Sequence, residues 1–185
     1  VGDFVDLIGP LGTAFGIPTT NANTMLIGGG YGSAPLFALA ELLKNRGCRV
    51  DMVLGASTAN KIYAPLEGKR SVSSLTLTTD DGTAGIHGQI SEAIPRLIRE
   101  FGTEVIYSCG PMGMLSAIAK IADEFDLAHQ CAVEEAMACG IGVCMTCVVP
   151  IKHEDGIKMV RTCIDGPVMD GSEIIWDRKT VLDAL

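Results

Sequence analysis

Four cysteines near the C-terminus have the residue type and the spacing that bind an iron-sulphur cluster. Cys139, Cys144 and Cys147 form a C-x4-C-x2-C array in the stretch MACGIGVCMTC. The glycines between them let the backbone turn tightly and direct amide groups at sulphur, so one loop can supply three thiolates. The fourth thiolate has to return from a separate segment, and Cys163 in RTCIDGP is placed to do so. The array therefore predicts a two-iron cluster, a centre that transfers single electrons.

Zinc and disulphide bonds are the alternative uses of these thiols. A four-thiolate zinc site usually consists of two C-x2-C pairs, and only Cys144 and Cys147 form such a pair here. Disulphides fit poorly because the total of seven cysteines is odd, and free thiols are typical of a reducing compartment, which predicts a cytoplasmic protein. Cys48, Cys109 and Cys131 lie outside the array in apolar or helical contexts, so we expect them to be buried free thiols.

Composition and charge limit the classes of function. A chain of 185 residues with 48% hydrophobic residues and 22 glycines is typical of a globular, turn-rich α/β protein. No apolar run approaches the roughly 20 residues that cross a bilayer, so we expect no membrane insertion. The net charge of -8 opposes binding to a phosphate backbone, and we therefore expect no nucleic-acid partner.

Short apolar runs alternate with helical patterns through the middle of the chain. The runs are continuous rather than alternating, as in strands that are buried on both faces of a sheet. The predicted strands span residues 24–28, 50–57, 74–81, 104–110 and 128–134. This alternation predicts a doubly wound parallel α/β sheet, which we assign to an NAD-binding domain over residues 21–134. A small cluster-binding domain is expected to follow over residues 135–185.

The first residues carry a strand pattern that has no partner nearby. Residues 4–8 are mostly apolar, and the turn GPLG follows them. A strand is unstable without neighbours, so we interpret residues 1–20 as the remnant of an upstream β-barrel. A native N-terminal strand that joins the main sheet is the alternative.

A glycine-rich turn follows the first of the predicted sheet strands, where sheets of this type bind nucleotides. Gly28, Gly29, Gly30 and Gly32 leave no side chain between the backbone and a pyrophosphate. A helix that we expect Ser33 to cap begins next, and its amides and positive dipole end favour the same anion. The spacing departs from G-x-G-x-x-G, and glycines also serve tight strand-helix turns, so both interpretations stay open.

The choice between the two nicotinamide dinucleotides depends on residues after the second and third strands. The acidic residue that usually binds the ribose hydroxyls after the second strand is missing, since that strand ends in the residues GAS. Asp80 and Asp81 after the third strand can supply a carboxylate to the adenosine half, although an Asp-Gly turn explains them structurally as well. Lys61 is the nearby cation. Together these residues favour NADH over NADPH.

Cys109 and Gly110 stand before Pro111 at the end of the fourth predicted strand. A small side chain followed by glycine would let a nicotinamide ring lie close to the backbone, against a second flat cofactor. A buried cysteine before a proline-initiated helix is the alternative interpretation. Because parallel strands end on a shared edge, the position of Cys109 on the edge of the glycine turn favours the cofactor site.

The remaining acidic residues and the histidines receive no catalytic assignment from the sequence. Glu134 and Glu135 precede the cysteine loop, but two adjacent glutamates are usually a solvated turn or a helix start. The three histidines are scattered without a second ligand at metal-binding spacing.

Six segments carry, in this order, a resemblance to a known family. They are GPLGTAF, LIGGGYGSAP, TTDDGT, YSCGPMGM, VEEAMACGIGVCMTCVVP and TCIDGPVMDG. Together they resemble the iron-sulphur electron-transfer subunits of the NAD-dependent, class 1B dihydroorotate dehydrogenases, within the wider ferredoxin reductase-like group. The cysteine block is the most specific segment. The glycine turn and Cys-Gly-Pro are shared with hydrogenase gamma subunits and with small subunits of NADH-dependent ferredoxin:NADP oxidoreductase.

The resemblance implies an N-terminal FAD barrel, a central NAD domain and a C-terminal domain that binds a 2Fe-2S cluster. It also implies electron transfer between NADH, FAD, the cluster and the FMN of a separate catalytic subunit. That subunit interconverts dihydroorotate and orotate in pyrimidine biosynthesis. The flavin-binding motif of the family lies upstream of the GPLG turn, so no residue of this chain inherits that role. FAD is therefore expected in the complete protein.

A flavin is also what the chemistry of the two other centres requires. NADH surrenders a hydride, an iron-sulphur cluster accepts one electron at a time, and a flavin can take two electrons and release them singly. The sequence therefore predicts an oxidoreductase subunit. An NAD(P)H-ferredoxin oxidoreductase, a hydrogenase gamma-type subunit, an iron-sulphur carrier without NADH chemistry and a zinc-stabilised interaction domain are the alternatives.

Overall fold

The computed structural model describes residue 2 and residues 4–177. The prediction of a strand at residues 4–8 is wrong, because these residues form no strand and their apolar side chains are exposed, Phe4 and Leu7 most of all. No neighbouring strand lies beside them in the described part of the chain, and an unpaired strand is unstable. Residues 178–185 of the predicted cluster-binding domain lie outside the described residues.

A seven-stranded sheet forms the centre of the molecule. In chain order the strands are β1 (Asn23–Gly29), β2 (Arg49–Ala56), β3 (Ser74–Thr79), β4 (Ile86–His87), β5 (Val105–Cys109), β6 (Ala128–Ala132), β7 (Val148–His153), β8 (Gly156–Arg161) and β9 (Val168–Asp170). The helices are α1 (Ala34–Asn45), α2 (Pro65–Ser71), α3 (Ile90–Phe101) and α4 (Met112–Glu124). The strands of the sheet lie in the order β4-β3-β2-β1-β5-β6-β9.

The predicted doubly wound parallel sheet is confirmed. Strands β1 to β6 pair in parallel, and the order reverses beside β1, which has β2 on one side and β5 on the other. The sequence did not predict β4 or β9, which are two and three residues long and too short for a periodic pattern. Strand β9 pairs antiparallel with β6, so the C-terminal part of the chain completes the edge of the sheet.

The sheet is buried on both faces, as the continuous apolar runs predicted. On one face Leu26, Leu54 and Tyr107 pack with α1, and on the other Ile27 and Ile106 pack with α3 and α4. Alternate residues of a strand point to opposite faces, which explains why β1 and β5 contribute to both cores. These two layers fix the positions of the strand ends at the carboxyl edge of the sheet.

The strands β7 and β8 form a separate antiparallel hairpin that carries the cysteine segments. Val149 and Val160 of the hairpin pack with Leu115 of α4 and Cys131 of β6 in a third core. The hairpin lies between the cysteine loop and Cys163, so this packing holds both cysteine segments against the main sheet. The division of domains at residue 134 stays a prediction. In the part of the chain that the structure describes, no helix could span a membrane.

His129 of β6 is a buried histidine whose charge state links folding to pH. Its side chain is 4% exposed, and its Nε2 lies 2.7 Å from the hydroxyl of Ser108. Within residues 4–177 its Nδ1 has no hydrogen-bond partner. Burial lowers the pKa of His129 to about 4, and the nearby charge of Asp170 opposes that shift. The folded protein therefore holds this imidazole neutral.

We expect acid to destabilise the fold through His129. The unfolded chain protonates this histidine below about pH 6.5, whereas the folded chain resists protonation until about pH 4. The stabilising contribution is complete above pH 6.5 and is lost as the pH falls toward 4, at a cost of about 2–3 kcal/mol. Urea unfolding at about pH 7 and about pH 4.5 measures this loss. His129→Gln should reduce the pH dependence, whereas His87→Gln at an exposed position should leave it unchanged.

Candidate functional site

The glycine turn after β1 is held in contact with the turn after β5. Strand β1 ends at Gly29, a short 3-10 turn spans Gly30–Ser33, and α1 begins at the next residue. A Cβ atom at Gly32 would lie 2.6 Å from the Cα and 2.8 Å from the nitrogen of Gly110. No side chain fits at that distance from backbone, so Gly32 is required by close approach. The sequence predicted both glycines but not this contact.

The prediction that Ser33 caps α1 is wrong, because its side chain stabilises the preceding turn instead. Its buried hydroxyl donates a hydrogen bond of 2.8 Å to the carbonyl oxygen of Gly30, and no hydrogen bond runs from it to the helix amides. A hydroxyl that is oriented toward the preceding turn is not placed to accept a hydrogen bond from the first amides of the helix. Gly28 lies directly against Ser33, which gives this glycine a packing role. The helix amides are thus left without a side-chain cap.

A cleft of about 860 Å³ opens at the carboxyl edge of the sheet, beside the point where the strand order reverses. The predicted residues that line it are Gly29, Gly30, Gly32, Asp80 and Gly110. Sequence reasoning gave no cleft role to Tyr31, Ser57, Gln89, Ser91, Met114 and Glu134, which also line it. The position and size of the cleft fit an extended dinucleotide.

Asp81 has a different role from its neighbour Asp80. Its carboxylate accepts hydrogen bonds from the hydroxyl of Thr83 at 2.6 Å and from the Thr83 amide at 3.0 Å. The hydroxyl bond is the main reason why the pKa of Asp81 is lowered. Asp81 does not line the cleft, so the turn explains its presence structurally.

Cys109 lines a second, apolar cavity of about 400 Å³ instead of the large cleft. Phe15, Pro35 and Val168 are among the other lining residues. Burial raises the pKa of Cys109 to about 11, with a smaller contribution from the charge of Glu134. The side chain is therefore a neutral thiol, which suits an apolar surface and not a nucleophile.

Glu134 lines both cavities, and the sequence gave no role to it. It stands two residues beyond β6, next to the strand that ends at Cys109. The signal that could have identified Glu134 was present, because polar residues just after parallel strands collect at the ligand-binding edge. Glu134 therefore belongs to the wall that the two cavities share.

Backbone amides of the cysteine loop point at sulphur, as predicted. The Sγ atom of Cys139 accepts hydrogen bonds from the amides of Val143 at 3.3 Å and Cys144 at 3.4 Å. Gly140 and Gly142 have positive φ angles of 70° and 79°, which turn the loop around that sulphur. Amides directed at a thiolate stabilise its negative charge, the form that binds metal.

Cys144 lies beside Cys139 and is exposed. The hydroxyl of Thr146 donates to the Sγ atom of Cys144 at 3.1 Å. This hydrogen bond is the main reason why the pKa of Cys144 is lowered to about 6, and the contact with Cys139 lowers it further. Cys144 and the half-buried Cys139 thus form one contacting pair of thiols.

Cys147 and Cys163 form a second pair, which is buried. Their side chains are 2% and 6% exposed and share a hydrogen bond. The backbone amide of Cys163 is the main cause of a lowered pKa at Cys147, whereas the hydrogen bond with Cys147 raises the pKa of Cys163. The charge of Cys139 also raises the pKa of Cys163, so the two pairs are neighbours.

The arrangement of the thiols as two pairs fits a two-iron cluster. Each iron of such a cluster takes two protein sulphurs, and the inorganic sulphides lie between the irons. Among residues 4–177, no group of three or more histidine, cysteine, aspartate or glutamate side chains is arranged to hold one metal ion. Arg161 braces the site, because its Nη1 atom donates to the carbonyl oxygen of Gly142 at 2.9 Å. The donor set therefore suits a cluster with paired thiolate ligands.

A family model and curated relatives match this chain. Residues 134–175 match the model described as the iron-sulphur cluster binding domain of dihydroorotate dehydrogenase B. The chain is 34% identical over 176 residues to the "dihydroorotate dehydrogenase B (NAD(+)), electron transfer subunit" of Desulforamulus reducens, covering 95% of this chain and 67% of that protein. The protein of the same name from Streptococcus mutans is 37% identical over the same shares of the two chains. The chain thus spans about two thirds of the length of these relatives.

Two solved structures are similar to this chain. One, from work on flavin-based electron bifurcation in an NADH-dependent reduced ferredoxin-NADP oxidoreductase, has a TM-score of 0.78 and 31% identity. The match covers 97% of this chain and 66% of that chain. The C-terminal domain of the PF1911 hydrogenase from Pyrococcus furiosus has a TM-score of 0.54 and 14% identity, over 66% of this chain and 98% of that domain. The second likeness concerns the fold alone.

Proposed function

Because this chain belongs to the family of electron transfer subunits of NAD(+)-dependent dihydroorotate dehydrogenase B, we propose that it transfers electrons between a nicotinamide dinucleotide and a partner oxidoreductase. The route would include FAD, carried by the complete protein, and a 2Fe-2S cluster. The observation that carries this proposal is the arrangement of four thiols as two neighbouring pairs, in a chain that also has a dinucleotide-sized cleft. Cytoplasmic location is part of the proposal, because free thiols persist in a reducing compartment.

The four cysteines of the array would hold the 2Fe-2S cluster. Cys139 and Cys144 would bind one iron, and Cys147 and Cys163 the other. The amides directed at Cys139 would stabilise the reduced, more negative state of the bound cluster. When bound, FAD supplies the exchange between a hydride and single electrons.

The cleft would bind the dinucleotide along its glycine turn. Gly29, Gly30 and Gly32 let the pyrophosphate approach the backbone, and the uncapped amides at the start of α1 are donors of the right charge. Gly110 would give the nicotinamide ring the same close approach at the end of β5. Glu134 and the apolar cavity at Cys109 would form the wall against which a second flat cofactor lies.

The partner that we propose is the FMN-containing catalytic subunit of dihydroorotate dehydrogenase, in a hetero-oligomer that serves pyrimidine biosynthesis. The names of the relatives support this choice. A second candidate is NAD(P)H-dependent ferredoxin reduction, favoured by the 31% identity with the ferredoxin-NADP oxidoreductase. The same module can serve both reactions, because the partner determines the electron acceptor.

Anaerobic NADH titration of the complete protein tests the proposal. We expect a brown protein with about two irons and two acid-labile sulphides per chain, whose visible absorbance bleaches with NADH. Addition of the catalytic subunit should then allow NADH to reduce orotate, or ferredoxin if the second candidate is right. A colourless zinc-loaded protein would overturn the redox proposal. A cluster that dithionite reduces and NADH does not would leave only an electron carrier.

A further inference from the structure

We propose that Asp80 binds the ribose hydroxyls of the adenosine half and makes the cleft prefer NADH to NADPH. This inference rests on the proposed binding of a nicotinamide dinucleotide in the cleft. It assigns to a residue after β3 the task that a carboxylate after β2 usually performs. Strand β2 lacks that carboxylate, since Ser57 and Thr58 follow its last residue, Ala56.

The register of β2 and β3 places Asp80 beside the position of the missing carboxylate. Ala56 pairs with Thr79, and the amide of Asp80 donates a hydrogen bond of 3.1 Å to the carbonyl oxygen of Ala56. Asp80 therefore lies next to Ser57, one strand further from the glycine turn. Neighbouring strands are only about 4.8 Å apart, so Asp80 is displaced by a single strand spacing from the usual position of the carboxylate. Ser57 and Asp80 line the same cleft.

The carboxylate of Asp80 is exposed and makes no side-chain hydrogen bond or ion pair in the described part of the chain. The adjacent Asp81, in contrast, is fully engaged with Thr83. A carboxylate accepts hydrogen bonds from both hydroxyls of a free diol. It repels a phosphate on the 2′ oxygen, because the two negative charges would lie side by side.

Lys61 is the competing residue, because it lines the cleft and attracts a 2′-phosphate. Its side chain is exposed, long and flexible, and it can turn into solvent when no phosphate is present. The side chain of Asp80 is shorter, and the hydrogen bond of the Asp80 amide to the carbonyl oxygen of Ala56 holds its backbone at the cleft wall. We therefore assign the discrimination to the carboxylate of Asp80, which stays closer to the cleft wall than the longer side chain of Lys61 can.

Binding of ADP-ribose and 2′-phospho-ADP-ribose to the complete protein tests this assignment, because these probes carry the ribose without the nicotinamide. Wild type should prefer ADP-ribose. Asp80→Asn should bind ADP-ribose about tenfold more weakly and 2′-phospho-ADP-ribose about tenfold more tightly. Asp81→Asn is the matched control and should keep the wild-type preference. Asp80→Ser serves as a second variant, and the thermal midpoint of each variant checks its folding.

The outcomes separate this inference from the proposed function. If wild type binds ADP-ribose and the preference survives in Asp80→Asn, the assignment of Asp80 is wrong and the dinucleotide site stands. If wild type prefers the phosphorylated probe and Lys61→Ala abolishes that preference, Lys61 is the specificity residue instead. If wild type binds neither probe and NADH fails to bind as well, the proposed dinucleotide site is wrong and the inference falls with it.

Discussion

Cys147→Ala should remove the iron-sulphur cluster and reduce NADH-driven electron transfer on the order of a hundredfold or more. Cys147 belongs to the buried thiol pair, where Cys163 is its hydrogen-bond partner. Loss of one buried sulphur leaves an iron with a single protein ligand, and alanine offers no replacement donor. Iron analysis and the visible absorption spectrum measure the cluster, and reduction of the partner by NADH measures the transfer.

Cys131→Ala is the matched control for this variant. Cys131 is buried like Cys147, but it lies in β6, outside the cysteine array. Its thiol donates to the carbonyl oxygen of Met169. It should cost about 1 kcal/mol of stability and leave the iron content unchanged. Full iron content in Cys147→Ala, with a normal spectrum, would show that the buried pair does not bind the cluster.

Gly32→Ala should weaken NADH binding about a hundredfold, which corresponds to about 3 kcal/mol. The added methyl group would lie 2.6 Å from the Cα atom of Gly110, so the two turns that form the cleft must separate. The neighbouring atoms belong to the backbone and cannot rotate away. Titration of NADH into the complete protein, with the bound flavin or intrinsic fluorescence as the signal, gives the dissociation constant.

Gly113→Ala provides the comparison at a cleft-lining glycine with free space. A Cβ atom at Gly113 meets nothing within 4 Å, and this residue lies in α4, where alanine is favoured over glycine by up to about 1 kcal/mol. NADH affinity should stay within about twofold of wild type, and the thermal midpoint should stay equal or rise. Equal losses of affinity in both variants would mean that bulk in the cleft, rather than contact between the turns, weakens binding.

The connection between the two candidate sites is short. The chain leaves β6 at Ala132, contributes Glu134 to the wall shared by both cavities, and reaches Cys139 five residues later. The packing of Val149 and Val160 against α4 and β6 then holds the hairpin beside the sheet. Chain connectivity and one small apolar core thus link the cleft wall to the cysteine segments.

The sequence by itself determined the cysteine array, the glycine turn and the parallel sheet. These features are local, since C-x4-C-x2-C, a run of glycines and continuous apolar strands can each be recognised within about ten residues. The pattern also indicated that Asp80 and Asp81 end a strand, because an Asp-Gly pair follows buried residues. It could not distinguish the roles of the two aspartates.

Only the tertiary structure decided which side chains face the cleft. Asp80 lines it and Asp81 does not, because the register between β2 and β3 orients one carboxylate along the wall and leaves the other to Thr83. Cys109 and Glu134 likewise depend on β5 and β6, which adjoin each other only after the helix between them folds back. Contacts between residues distant in the chain depend on strand order and register, and these are properties of the folded sheet rather than of any short segment.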